Sequence, residues 1–300
     1  MAAGYLHKVC AERAAREAGL SSLSGHAFVL GAHGPDPLFA AGIFPLRSSS
    51  KPEPWGRMLH RTRMGAHLMA LLTSAKDAGV VLRSYAMGFL THYALDASVH
   101  PYVYAHSYDK ADNYSSPLHL RLEKHWDALY YRRDGGRGTP GYMPGLAEAK
   151  PIWPDIAALW SDALEKVYPA LELTEERLLA AFSASERVNR LTHSNLGIKY
   201  GLVWLIERIA GKPAKFTSFM TPRIPSRKDI ENRARKPWAS EAEPDRERTE
   251  GLDELFEAAV RRAVELLCAA QAYFDGRMDQ ETLSGIVGNI RYDLGITEDS

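Results

Sequence analysis

Three hundred residues with 45% hydrophobic content can bury a sizeable core, which excludes disorder for the chain as a whole. A formal net charge of zero, with no long basic cluster, gives nothing to hold a stable nucleic-acid partner or an anionic surface by charge alone. Two cysteines, Cys10 and Cys268, are too few for a disulfide framework and lack the spacing of thiolate zinc sites.

In chain order, residues 3–18 read as a helix with Tyr5, Leu6, Val9 and Cys10 on one side and Gly19 as its stop; His7 lies within it. Charges at Glu12, Arg13, Arg16 and Glu17 interrupt the pattern of a secretory signal, and no apolar run reaches membrane-span length, so a soluble, cytoplasmic protein is expected. A short apolar segment, 26–30, runs into Gly31-Ala-His-Gly-Pro-Asp-Pro-Leu38, where glycine and proline impose a turn. Asp36, between Pro35 and Pro37, cannot belong to a helix interior, and its carboxylate can project from a rigid loop. Residues 40–54 look irregular. One helix is expected from Trp55 to Asp77, with His60 and His67 on a common face.

The most informative stretch follows, in a helix expected from Val80 until Pro101 ends it. His92, Asp96 and His100 recur every four residues, so all three side chains fall on one stripe. Imidazole and carboxylate are the donors that borderline-soft divalent metals take. Tyr85, Met87, Phe89, Leu90, Tyr93, Leu95 and Val99 make the segment apolar nearly all round, so its polar residues must be paired or metal-bound. A further helix over 118–132 repeats the spacing with His119 and Glu123. Arg61, next to His60, is a candidate to hold a phosphate, and Tyr93, Tyr102, Tyr104 and Trp126 are candidates to line a pocket. His26, His33, His67, His125 and His193 have no partner at ligand spacing and read as structural or surface histidines.

Beyond Gly135 the chain is rich in Gly and Pro to about Pro154; amphipathic helices are then expected over 155–167, 174–193 and 195–210. Residues 212–248 are charged and Pro-containing and read as a mobile linker or loop, before helices over 252–274 and 281–287. No stretch alternates with period two, so the fold class is all-α, as a single helical body.

Taken together, His7, Gly-Pro-Asp36, Met-Leu-His60-Arg, His92-x-x-x-Asp96-x-x-x-His100-Pro-Tyr and His119-x-x-x-Glu123 resemble, in that order, the zinc-dependent phospholipase C family, and more distantly the single-strand zinc nucleases sharing its all-helical bundle. The resemblance covers about 1–133; residues 134–300 are then an additional helical region packed on that metal-site core. It implies two or three Zn²⁺ ions between the helices. Asp36, His60, His92 and Asp96 would hold one ion, with Asp96 bridging toward a second; His100, His119 and Glu123 would hold another; His7 would contribute to a third. The Asp96–His100 interval is shorter than in the secreted phospholipases, which leaves His106 open as a substitute for His100. The implied activity is hydrolysis of a phosphodiester small molecule or phospholipid headgroup by metal-activated water, with Asp36 catalytic and Arg61 on the phosphate. A nuclease and a non-catalytic metal-binding module are the alternatives.

Overall fold

The computed structural model describes residues 4–40, 53–109, 111, 113–171, 173–212 and 214–298. Among them the chain is all-α apart from one two-stranded sheet. The helices are α1 (Gly4–Glu17), α2 (Gly25–Gly31), α3 (Pro37–Ala40), α4 (Glu53–Leu59), α5 (Met64–Ala75), α6 (Gly79–Ala105), α7 (Ser116–Arg133), α8 (Trp153–Val167), α9 (Glu175–Thr192), α10 (Ile198–Ile209), α11 (Leu252–Phe274) and α12 (Gln280–Val287).

Helix α6 is the axis of the structure, packed by α1, α2, α5, α7, α8 and α11, as its apolar circumference requires. It crosses α2 at backbone contact. A Cβ on Gly31 would overlap the Tyr85 carbonyl, and one on Gly88 the Phe28 carbonyl, so this crossing depends on two glycines. One hydrophobic core runs from Ala11 to Tyr292 and joins α8, α9, α11 and α12 to the N-terminal helices. A second cluster closes the other end of α6, where Leu95, Val99, Tyr102 and Val103 meet Leu6, Trp126, Trp238 and Phe256.

Three expectations are corrected. The helix predicted over 55–77 is two helices, broken at 60–63, where Arg63 takes a left-handed conformation at φ 52°. Contacts from remote segments occupy the break: Tyr292 N donates to His60 O at 3.3 Å, Arg63 Nη1 to Val167 O at 3.0 Å, and Tyr168 Oη to Thr62 O. His60 and His67 therefore do not share a face. Pro101 does not end α6. It removes one intrahelical hydrogen bond, yet burial of Tyr102 and Val103 carries the helix to Ala105. Nor is 212–248 a structureless linker where it is described. It holds a 3₁₀ turn at Thr217–Phe219 and an antiparallel hairpin of β1 (Trp238–Ser240) and β2 (Glu243–Arg248). Buried Trp238 and Asn232 fix it, through Trp238 Nε1 to Glu250 O at 3.1 Å and Asn232 Nδ2 to Lys236 O at 3.0 Å. The four central residues of β2 are exposed, so its sequence has no apolar face and shows no alternation. Of the stretch expected to be irregular, 41–52 lie outside the described residues, and α4 begins at Glu53.

His67 is buried in an aromatic cage, its ring 5.5 Å from Phe89, 5.7 Å from Trp160 and 6.2 Å from Tyr168, centroid to centroid. Burial pushes its pKa down to about 4, so it is neutral when folded and binds a proton more readily when unfolded. Stability is then full above the unfolded value of about 6.5 and falls as pH drops toward 4, by about 3 kcal/mol from this residue. Thermal melts from pH 7 to 4 should show that loss, and His67→Leu should make it smaller by this residue's share, the other buried histidines keeping theirs.

Candidate metal centre

Five segments meet along the stripe of His92, Asp96 and His100 on α6. His7 arrives on α1, Asp36 in the turn before α3, His60 just after α4, His92 and His100 on α6 itself, and His119 with Glu123 on α7. All eight residues are at most 6% exposed. The stripe on α6 places His92 and His100 one turn either side of Asp96. Asp96 Oδ1 is 3.1 Å from His7 Nε2, and Oδ2 is 3.2 Å from His92 Nε2, 3.6 Å from His100 Nδ1 and 3.7 Å from His60 Nε2. Asp36 Oδ1 lies 3.3 Å from His60 Nε2. A few ångströms further along, Glu123 Oε1 is 3.2 Å from His119 Nε2 and 3.3 Å from His100 Nε2.

Hydrogen bonds behind the imidazoles set their tautomers. His60 Nδ1 donates to Gly56 O at 2.6 Å and His100 Nδ1 to Tyr292 O at 3.1 Å, since a carbonyl can only accept. Each ring thus directs its Nε2 at the carboxylates of the cluster, the nitrogen that would ligate a metal once it carries no proton, as metal-ligating histidines do. The His7 and His92 rings stack at 4.5 Å. Gly34, at φ 50°, lies against His92, and a Cβ there would overlap the ring. Gly34→Ala should shift His92 and lower bound metal severalfold while the helices stay formed; elemental analysis beside far-ultraviolet circular dichroism checks this.

The electrostatics are those of a site made for cations. Burial lowers His7, His60 and His119 below the ordinary imidazole pKa. For His100 burial acts the same way, but Asp96 and Glu123 outweigh it and lift the ring to about 9. Burial likewise opposes ionisation of Asp96 and Glu123. The His100, His92 and His7 imidazoles overcome it at Asp96 and hold that carboxyl well below its usual range, and His119 foremost brings Glu123 to about 2. Both carboxylates are therefore ionised although buried. Yet both Asp96 oxygens, Glu123 Oε2, His60 Nε2 and both His92 nitrogens meet no hydrogen-bond geometry. Polar atoms left so at full burial cost several kcal/mol in sum, and a cation among them removes that cost. The donors fit zinc: imidazole nitrogen and carboxylate oxygen, in three sets whose ligand atoms lie within 4.8 Å of one another. The sets are His7, Asp36 and His92; His60, His92 and Asp96; and His100, His119 and Glu123.

His106 is not in the cluster. Its ring stacks on Tyr102 at 3.9 Å and its Nδ1 bonds Tyr102 O at 2.8 Å, so His100 alone of the two faces Glu123. Arg61 is 43% exposed at the rim, with Nε 2.9 Å from Asp293 Oδ2. Of the aromatic candidates, Tyr104 stands beside the centre, 5.9 Å from His100 and 5.0 Å from His119. Tyr93, Tyr102 and Trp126 are core residues; Trp126 Nε1 donates to Ile230 O at 2.8 Å. His33 is buried, its Nε2 bonded to Pro144 O at 2.7 Å, and His125 Nδ1 accepts from Ser226 N at 2.8 Å.

Three contributors were absent from the sequence reading. Tyr292 places its ring 5.3 Å from His60 and 5.5 Å from His92 while its carbonyl holds His100. Tyr114 Oη contacts His119 Nδ1 at 3.2 Å. Asp127, next to the ligand-spaced pair on α7, accepts from Tyr5 N and Leu6 N at 2.8 and 3.0 Å and from buried Lys124 at 3.1 Å. It anchors the first turn of α1 and so positions His7. No local signal marks the first two; the third shows only as an acidic residue in a buried helix.

The family described as zinc dependent phospholipase C matches residues 6–178, more than half of the chain. The protein belongs to that family. Comparison with curated proteins and with solved structures gave no significant match. The matched region contains every residue of the three ligand sets and runs beyond α7 through α8, which packs on α5.

Proposed function

We propose that this chain is a zinc-dependent phosphodiesterase of phospholipase C type, holding two or three ions between α1, α6, α7 and the segments at Asp36 and His60. The observation that supports it most is the fully buried Asp96 carboxylate, facing four imidazoles with both oxygens outside any hydrogen bond. On this reading His60, His92 and Asp96 hold one ion, with Asp36 and His7 beside it, and His100, His119 and Glu123 hold another. Zinc, when bound, supplies Lewis acidity toward a phosphoryl oxygen and a water acidic enough to attack near neutral pH.

The chain's own groups do the rest. Asp36, on a turn stiffened by Pro35 and Pro37, accepts a hydrogen bond from the attacking water and orients it. Arg61, braced by Asp293, offers the remaining guanidinium donors to a phosphate at the rim. Tyr104 and Tyr114, stacked at 5.4 Å, wall the side next to His119. Among the described residues no helix is long and apolar enough to cross a membrane. We place the protein in the cytoplasm, where Cys10 and Cys268 stay reduced.

Purified without chelator, the protein should contain at least two zinc ions per chain and hydrolyse a p-nitrophenyl phosphodiester or phosphocholine ester. Chelation should abolish turnover, and added zinc should restore it. A single-stranded oligonucleotide assayed alongside separates a nuclease from a phospholipase. Metal content with no turnover on any of these substrates would instead mark a metal-binding module.

A further inference from the structure

Helix α10 is inside out. Its only buried residue is Glu207, whereas Ile198, Leu202, Leu205 and Ile209 are 72%, 58%, 47% and 79% exposed. The intervals of four, three and four put these four on one stripe, pointing away from the protein. Glu207, on the opposite side, accepts from Thr217 N at 3.0 Å and Thr217 Oγ1 at 2.6 Å, and from Phe216 N. The carboxylate thus clamps the helix to the 217–219 turn and holds the apolar stripe outward.

Lys199 and Arg208 fall roughly a quarter turn to either side of the stripe, at about 100° per residue. Arg208 lies 5.6 Å from the ring of half-exposed Trp204, and Lys212 and Lys215 follow the helix. Between residues 191 and 219 there are four Lys or Arg and one carboxylate, the buried Glu207, in a chain whose overall charge is zero. Behind the stripe a cavity of about 650 Å³ opens between α9 and α10, lined by Val188, Val203, Ile206 and Phe219 with Lys199 and Lys215 among its walls.

We infer that α10 docks the protein in-plane on an anionic phospholipid bilayer. An outward apolar stripe with cations on both flanks, here with half-exposed Trp204 beyond Arg208, is the pattern of an interfacial helix. The charge complement it needs is a negative sheet, which a leaflet containing anionic lipid presents. The apolar cavity offers room for an acyl chain of one such lipid, whose headgroup phosphate would lie at Lys199 and Lys215. A second copy of this chain fits less well, because two-fold pairing of α10 would set its cationic flanks against one another with no exposed carboxylate on the helix to match them. The inference is independent of what the metal centre hydrolyses, since α10 lies outside the residues that match the family.

Sedimentation of the full chain with vesicles tests it, comparing phosphatidylcholine alone with a mixture of phosphatidylserine and phosphatidylcholine, at low and high salt. The protein should sediment with the mixed vesicles and less so with the neutral ones, and salt should weaken the binding. Leu202→Glu combined with Leu205→Glu should cut vesicle partitioning about tenfold or more, with zinc content and melting temperature unchanged. Lys212→Glu combined with Lys215→Glu should remove the preference for phosphatidylserine. No binding to the mixed vesicles, or binding by both double variants equal to that of the unchanged protein, would overturn the inference. So would a dimer in sedimentation velocity that the leucine variant dissolves while vesicles are ignored.

Discussion

Asp96→Ala should lose bound zinc almost completely, abolish hydrolysis and lower stability by about 3–5 kcal/mol. Asp96 is fully buried, and four imidazoles from three segments approach it within 3.7 Å. Removing it withdraws the negative charge between neighbouring cation sets, so ions held by the remaining ligands repel one another at close range. Metal that binds only the folded chain stabilises it by mass action, so losing zinc adds to the loss of the buried charge network. His125→Ala is the comparator. It removes one hydrogen bond, from Ser226 N, and should cost about 1 kcal/mol with zinc retained. Elemental analysis and thermal melts on the two variants make the comparison.

Asp36→Asn should separate chemistry from binding. The amide keeps an oxygen where the carboxylate stood and leaves α6 untouched, so zinc content should fall by less than half and the melting temperature should hardly move. Turnover should drop about a hundredfold or more, because a neutral oxygen orients and polarises an attacking water far less than a carboxylate does. The Michaelis constant should change little, as Arg61 and the tyrosine wall are unaltered. Steady-state kinetics on the same phosphodiester, alongside metal analysis, reads both quantities. Equal losses of zinc and turnover would instead make Asp36 a ligand with no separate part in the chemistry.

What could be read from the chain was what is local. His92, Asp96 and His100 share a stripe because helical geometry repeats over a few residues, and the same holds for His119 and Glu123 on α7. Asp36 stood out because two prolines bar it from a helix interior. The all-α class followed from amphipathic periodicity through most of the chain. What could not be read depends on partners distant in sequence. The break at 60–63 is held by Tyr168, Val167 and Tyr292, and without it His60 would lie along a continuous helix rather than against Asp36. Tyr292 and Asp293 reach the centre from 192 residues beyond His100, in the case of the tyrosine, with no spacing to announce them. The hairpin escaped because β2 buries no apolar face. The family match extends to residue 178, whereas the motifs end at Glu123, because α8 supplies packing on α5 and no ligand.

The most direct test of the central claim is anomalous diffraction at the zinc absorption edge from crystals grown without chelator. Strong peaks are expected among His60, His92 and Asp96 and again among His100, His119 and Glu123, with Asp36 and His7 within ligand distance of the first. Well-ordered density for these side chains with no anomalous peak among them, in protein never exposed to chelator, would contradict it.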